Sequence, residues 1–218
     1  MDELKKTKEL VEKYLKEKYP GAQFTDEDLE FLARYSVKKE GCESEILKDL
    51  GLIRGKETVQ SYYAKDKHET VEKAKNCIQA IYARFNTKRD SQKKKEHPVD
   101  VFGDDFEAFF AWWCDKTPED GIRRCCYCEV DEKALKDAFD LKIISSKKQS
   151  FSGELQIERK IPNGDYCAGN CEFACVICNN AKSDMISEDD FKKFFVPGIK
   201  EYWKHIEEKI KEIKKKNP

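Results

Sequence analysis

Apolar residues return every three or four positions through most of this chain, a spacing that predicts a protein built mainly from amphipathic helices. Leu4, Val11 and Leu15 share one face of a Lys/Glu-rich segment that Pro20-Gly21 closes. Thr25-Asp26-Glu27-Asp28 has the form of a capping box and opens a helix with Leu29, Leu32 and Ala33 inward. Glu43 to Leu50 reads as a short helix broken by Gly51, and Thr58 to Tyr63 begins another. Val71, Cys77, Ile78, Ile81, Tyr82 and Phe85 define a longer one. The polar run from Asn86 to Pro98 has almost nothing to bury, so it is expected to be a linker or an exposed loop. Beyond it, Phe102, Phe106, Phe109, Phe110, Trp112 and Trp113 form the densest aromatic cluster, expected on a helix packed against the C-terminal module. Ser187 to Asp190 caps a helix bearing Phe191, Phe194 and Phe195. After Pro197-Gly198, Ile199, Trp203, Ile206, Ile210 and Ile213 step by four and three along a last amphipathic helix.

A chain of 218 residues can hold one good core or two small ones. The polar run places the boundary near residue 97, giving a helical region over 1–97 and a second module over 98–218. The 42 Lys and Arg balance 43 Asp and Glu for a net charge of -1, which excludes a uniformly basic coat but not local basic patches. No apolar run approaches a membrane span and the first residues lack a signal-peptide core, so a cytoplasmic protein is expected. In a reducing compartment ten cysteines read as metal ligands plus buried thiols rather than as a disulfide framework.

Four of those cysteines carry the sharpest signal. Cys125-x2-Cys128 and Cys175-x2-Cys178 offer four thiolates at the spacing of a tetrahedral structural zinc site. Residues 129–174 between them leave room for a short helix and a β-hairpin. Cys126 neighbours the first pair, and Cys167 or Cys171 could replace a ligand, but the doublet spacing favours the two pairs. The remaining thiols are expected to be buried side chains.

Between the pairs lies Leu155-Gln156-Ile157-Glu158-Arg159-Lys160, and the second pair runs into Asn179-Asn180-Ala181-Lys182-Ser183-Asp184. This order resembles the HNH endonucleases with a zinc-stapled ββα-metal site, over roughly residues 120 to 200, and its tail is similar to the HNH domain of CRISPR effector nucleases. The resemblance implies an α+β, mostly helical protein in which an HNH module with a structural zinc follows a helical N-terminal region. It implies that Glu158 and Asn179 hold a catalytic Mg²⁺ or Mn²⁺ and that Asn170 ties the loop to the hairpin. Lys182, three residues beyond Asn179 on a neighbouring helical face, and the forked guanidinium of Arg159 are expected from their own chemistry to address phosphate. The family usually carries a histidine after the acidic ligand to activate water. Here Arg159 stands in that place, and a guanidinium cannot act as a general base near neutrality. Tyr166, in Asn163-Gly164-Asp165-Tyr166, is the first candidate for that role; Lys160, His97, His205 and an unaided metal-bound hydroxide are the others.

In the N-terminal region, residues 43–63 have the form of a helix-turn-helix whose polar face would carry Arg54, Lys56, Gln60 and Ser61 toward DNA. Any two short helices joined by glycine mimic that pattern, so a plain helical bundle is the competing expectation. Lys88 to Lys95 could track phosphates. The expected function is metal-dependent DNA hydrolysis in restriction, another anti-phage defence or a mobile element. A homodimer or a partner protein of a defence system is compatible with it. The rivals are a catalytically silent zinc module that binds nucleic acid or a protein partner, and, more remotely, a thiol-redox protein.

Overall fold

A computed structural model of the chain describes residues 2–37, 43–54, 56–64, 68–118, 120–145 and 153–216. It is mostly helical with one small antiparallel sheet, an α+β composition as expected. The chain divides into two compact units, Met1–Asp115 and Lys116–Pro218.

Among its described residues the elements of the first unit are helices: α1 (Asp2–Lys18), α2 (Asp26–Val37), α3 (Glu43–Asp49), α4 (Val59–Tyr63), α5 (His68–Lys93), a 3-10 turn (Phe102–Asp104) and α6 (Phe106–Asp115). The capping box at α2 is formed on both sides: Thr25 Oγ1 accepts from Asp28 N at 3.1 Å, and Asp28 Oδ2 accepts from Thr25 N at 2.9 Å. Such a cap satisfies two backbone donors that a helix start otherwise leaves open. Two expectations are corrected here. The polar run does not begin a linker, because α5 continues through Asn86 to Lys93. Its Lys, Arg, Gln and Ser residues hold helical backbone without apolar side chains, and no Gly or Pro interrupts them. Arg89 and Lys93 reach Asp104 at 3.4 and 3.0 Å, so part of the basic run is already paired within the unit. The aromatic helix α6, in turn, belongs to this unit and not to the C-terminal one. Phe110 meets Tyr14 of α1 edge-on with ring centres 5.6 Å apart, and Phe109 meets Phe85 of α5 at 5.3 Å.

One polar group in this core is paired from three elements. Lys75 Nζ bonds Glu43 Oε1 at 2.9 Å, lies 5.0 Å from the centre of the Tyr63 ring, and the Tyr63 hydroxyl donates to the same Glu43 oxygen. Burial, first, and the Glu43 carboxylate, second, push the Tyr63 hydroxyl well above its ordinary range. It therefore remains a donor.

The second unit contains α7 (Glu132–Asp140), β1 (Gln156–Arg159), β2 (Cys171–Ala174), α8 (Val176–Lys182), α9 (Glu188–Phe194) and α10 (Val196–Lys216). The strands pair antiparallel in the register Gln156–Ala174, Ile157–Phe173, Glu158–Glu172 and Arg159–Cys171. Side chains directly opposite share a face. One face therefore carries Gln156, Glu158, Glu172 and the small Ala174; the other carries Ile157, Phe173, Arg159 and Cys171. The final helix buries Trp203, Ile206 and Ile210, the stripe its spacing predicts. Gly153 allows the chain to enter β1 past α7: a Cβ there would lie 2.4 Å from the Lys136 Cα.

Candidate functional site

A four-residue hairpin on its own is marginal in water, so something outside the ladder must hold it. Four buried cysteines gathered at the end of β2 offer a metal site that would do so. The ligand atoms of Cys125, Cys128, Cys175 and Cys178 all lie within 4.8 Å of one another, and all four residues are buried. A tetrahedral ion with sulfur at ~2.3 Å separates its ligands by about 3.8 Å. The Cys128 and Cys175 sulfurs are 3.6 Å apart. The donor set and spacing fit a bound metal such as zinc, and the doublets, not Cys167 or Cys171, form the cluster.

Local backbone chemistry aims each thiol. In the first knuckle Cys125 O accepts from Glu129 N at 3.0 Å and Cys125 N donates to Val130 O at 2.9 Å, a tight loop in which Glu129 takes a φ of 66°. Cys126 N donates to Phe173 O at 2.8 Å and fastens that loop to β2. In the second knuckle Cys175 is the N-cap of α8, and its sulfur accepts from Cys178 N at 3.4 Å. Packed this closely, the thiols share their protons: hydrogen bonds from Cys126, Cys128, Cys175 and Cys178 lower the pKa of Cys125. Bonding to Cys125 raises those of Cys128 and Cys178. Four thiolates in this space need a cation between them. Of the other described cysteines, Cys114 and Cys171 are buried as expected, Cys77 is half-buried, and Cys126 and Cys167 are exposed.

Helix α8 lies on the Gln156–Glu158 face of the hairpin, and it brings two expected site residues to β1. Asn179 Nδ2 donates to Gln156 Oε1 at 2.5 Å. Glu158 is two residues further along the same face, about 7 Å along the strand. Asn179 thus reaches the strand face that also carries Glu158. Neither is idle. Lys182 Nζ bonds Glu158 Oε1 at 2.8 Å and the Arg159 carbonyl at 3.0 Å. Lys182 is 0 % exposed and Glu158 is 6 % exposed.

This geometry corrects the role given to Lys182. Helical spacing placed its ammonium on a face open to phosphate; folding turns it inward, because a buried carboxylate needs a counter-charge. Glu172 stands directly across the sheet from Glu158, and two bare carboxylates there would repel. Each has its own cation: Lys182 for Glu158, and Lys116 for Glu172 at 2.8 Å with Lys160 at 3.9 Å. Gln156 and Glu172 were not among the expected site residues. Period-2 alternation assigns Gln156 to the Glu158 face, whereas Glu172 required the pairing register.

Tyr166 is corrected as well. It is buried, and that burial raises its pKa, while the guanidinium of Arg159, 4.7 Å from the ring centre, pulls the other way. A phenol held above its usual range is a poor base near neutrality. Arg159 itself is half-buried and donates to the Gly164 carbonyl at 2.8 Å. Lys160 is half-buried beside Glu172, and His97 and His205 are exposed.

Asn170 is tied to the loop as expected. Its Oδ1 accepts from Ile161 N at 2.8 Å, and its Nδ2 donates to Ile161 O at 3.1 Å and to Asp165 O at 2.9 Å. Gly164 makes room for it, since a Cβ there would meet Asn170 Nδ2 at 2.9 Å. Asn170→Ala strips three hydrogen bonds from the loop and should cost about 2–3 kcal/mol. Denaturant titration of the zinc-loaded chain checks this, and a wild-type midpoint would contradict it.

The expected DNA-reading face is arranged differently from a helix-turn-helix. Residues 50–58 separate α3 from α4, far more than the three- or four-residue turn of that motif. Helix α4 has five residues and buries Tyr62 and Tyr63. Ser61 is spent on the cap: its Oγ accepts from Thr58 N at 2.9 Å and donates to Thr58 O at 2.7 Å. Arg54, Lys56 and Gln60 are exposed.

Comparison with known proteins adds nothing to this geometry: no family model, curated protein or solved structure matches the chain. Among the described residues no helix is long and apolar enough to cross a membrane.

Proposed function

We propose that Lys116–Pro218 is an HNH-type nuclease module that hydrolyses DNA phosphodiesters, with a helical N-terminal unit beside it in sequence. The observation that carries this reading is the convergence on one face of the hairpin. A four-cysteine cluster joins the first knuckle, itself fastened to β2 through Cys126, to the start of α8, and α8 in turn brings Asn179 to Gln156 and Lys182 to Glu158 on one face of β1. When bound, Mg²⁺ or Mn²⁺ would polarise phosphate and activate water. Glu158 and Asn179 are the residues that would hold it. Arg159, stacked on Tyr166, would offer a guanidinium to a phosphate oxygen. As arranged, however, the Glu158 oxygen carries an ammonium, so the carboxylate fits a divalent ion only if Lys182 leaves it.

That same ion pair supports the second reading, a silent zinc module that binds nucleic acid or a protein. A thiol-redox role fits poorly, because all four doublet thiols are buried and a reactive thiolate must be reached by its partner.

Plasmid nicking by the zinc-loaded chain with Mg²⁺ or Mn²⁺ separates the two readings. Glu158→Gln, which keeps the shape and removes the charge, should abolish nicking; wild-type protein that leaves supercoiled DNA intact would favour the silent module. Tyr166→Phe, by contrast, should slow nicking far less than the ~100-fold or more that loss of a general base brings. A larger loss would restore Tyr166 to the chemistry.

A further inference from the structure

The fate of the Lys182 ammonium bears on how a divalent ion could reach Glu158. We infer that Lys182 is the resident cation of the Glu158 carboxylate and competes with a divalent metal for it. The inference rests on the nuclease reading for the purpose of the site, but the competition itself is a property of the pair.

Three observations carry it. Lys182 is wholly buried and its ammonium is fixed by the Glu158 Oε1 and the Arg159 carbonyl, so water does not screen it. Lys182 pairs with Glu158, while the facing carboxylate, Glu172, has its own partners in Lys116 and Lys160. A doubly charged ion on the same carboxylate would sit beside an unscreened ammonium, and like charges in low dielectric repel strongly. The two cations therefore alternate.

The third observation gives Lys182 a way out. It is the last residue of α8, and Ser183 after it adopts φ 55° and ψ -154°, a conformation that residues other than glycine seldom take. Lys182 thus hangs on a strained joint one turn past Cys178. Unwinding that final turn would withdraw the ammonium and leave the cysteine cluster in place. A phosphate oxygen is the natural draw for it, and the carboxylate it vacates is then open to metal. Divalent metal and a phosphodiester should accordingly bind with positive coupling, each favouring the state that the other needs.

Equilibrium Mn²⁺ binding to the zinc-loaded full chain, without nucleic acid, tests this. Lys182→Met should bind Mn²⁺ at least tenfold more tightly than wild type, and Glu158→Gln/Lys182→Met should lose that gain. An affinity in Lys182→Met equal to or weaker than wild type overturns the competition. Lys182→Gln, which can still hydrogen-bond Glu158, serves if the methionine variant fails to fold. If neither folds, the wild type decides through paramagnetic broadening of the Ile157 to Arg159 amides. Broadening by Mn²⁺ that grows when a nuclease-resistant phosphorothioate duplex is added supports the inference; equal broadening with and without duplex, or none in either state, overturns it. Wild-type protein that never nicks DNA would end the nuclease reading while the Mn²⁺ gain in Lys182→Met stood. Unchanged Mn²⁺ affinity with active wild type would do the reverse.

Discussion

Cys128→Ser should release zinc from the protein and abolish the cooperative unfolding transition of Lys116–Pro218. The expected effect is large because the contributions are unequal. Structural zinc in small modules contributes roughly 10–16 kcal/mol of folding free energy, comparable to or larger than the ~5–15 kcal/mol that holds a whole domain together. The hairpin has four residues a side, and at the C-terminal end of β2 it is fastened to the first knuckle through Cys126 and runs into α8 through Cys175. Removing one of four ligands also leaves three crowded thiols in a buried space built for an ion. Metal content measured alongside near-ultraviolet circular dichroism checks the expectation. A zinc-free variant that still melts cooperatively at the wild-type midpoint would show that the apolar core suffices.

The second large effect is expected at Glu158. Alanine there removes the carboxylate from a fully buried ammonium, and breaking a buried ion pair from one side costs about 3–5 kcal/mol. From sequence alone Glu158→Ala is a clean catalytic knockout that spares the fold; the ion pair makes it a folding mutation as well. Replacing both partners by neutral groups of similar shape, Glu158→Gln with Lys182→Met, should cost much less than the sum of the single substitutions. Urea titration of the four proteins in the cycle measures the coupling. Additive losses would mean that the two side chains do not depend on each other. The Arg159 carbonyl, which also accepts from Lys182, sets a floor on the ammonium's isolation and should keep the single loss toward the lower end of that range.

Much of the fold was legible because local rules decide it. Pro20-Gly21 and Gly51 end helices, Thr25 and Asp28 cap one, and the 3–4 stepping of Trp203, Ile206 and Ile210 selects a buried stripe. The misreadings share a cause. A polar run can still be helix when its residues tolerate helical backbone and find salt partners elsewhere, as Arg89 and Lys93 do with Asp104. Aromatic residues announce a core but do not say which, and α6 joined the core of α1 and α5.

At the candidate site the division is sharper. The sequence by itself determined the four thiol ligands, because a tetrahedral ion imposes a spacing that two short doublets meet without help from the rest of the chain. The resemblance of the motif, rather than spacing, pointed to Asn170 as the residue that holds the loop and to Glu158 and Asn179 as members of neighbouring elements. Only the tertiary structure decided what the charges do. Lys182 and Glu158 are 24 residues apart in sequence and bonded in space, and Glu172 enters through strand register alone. Charge pairing follows burial, burial follows packing, and packing across such separations leaves no periodic trace in the chain.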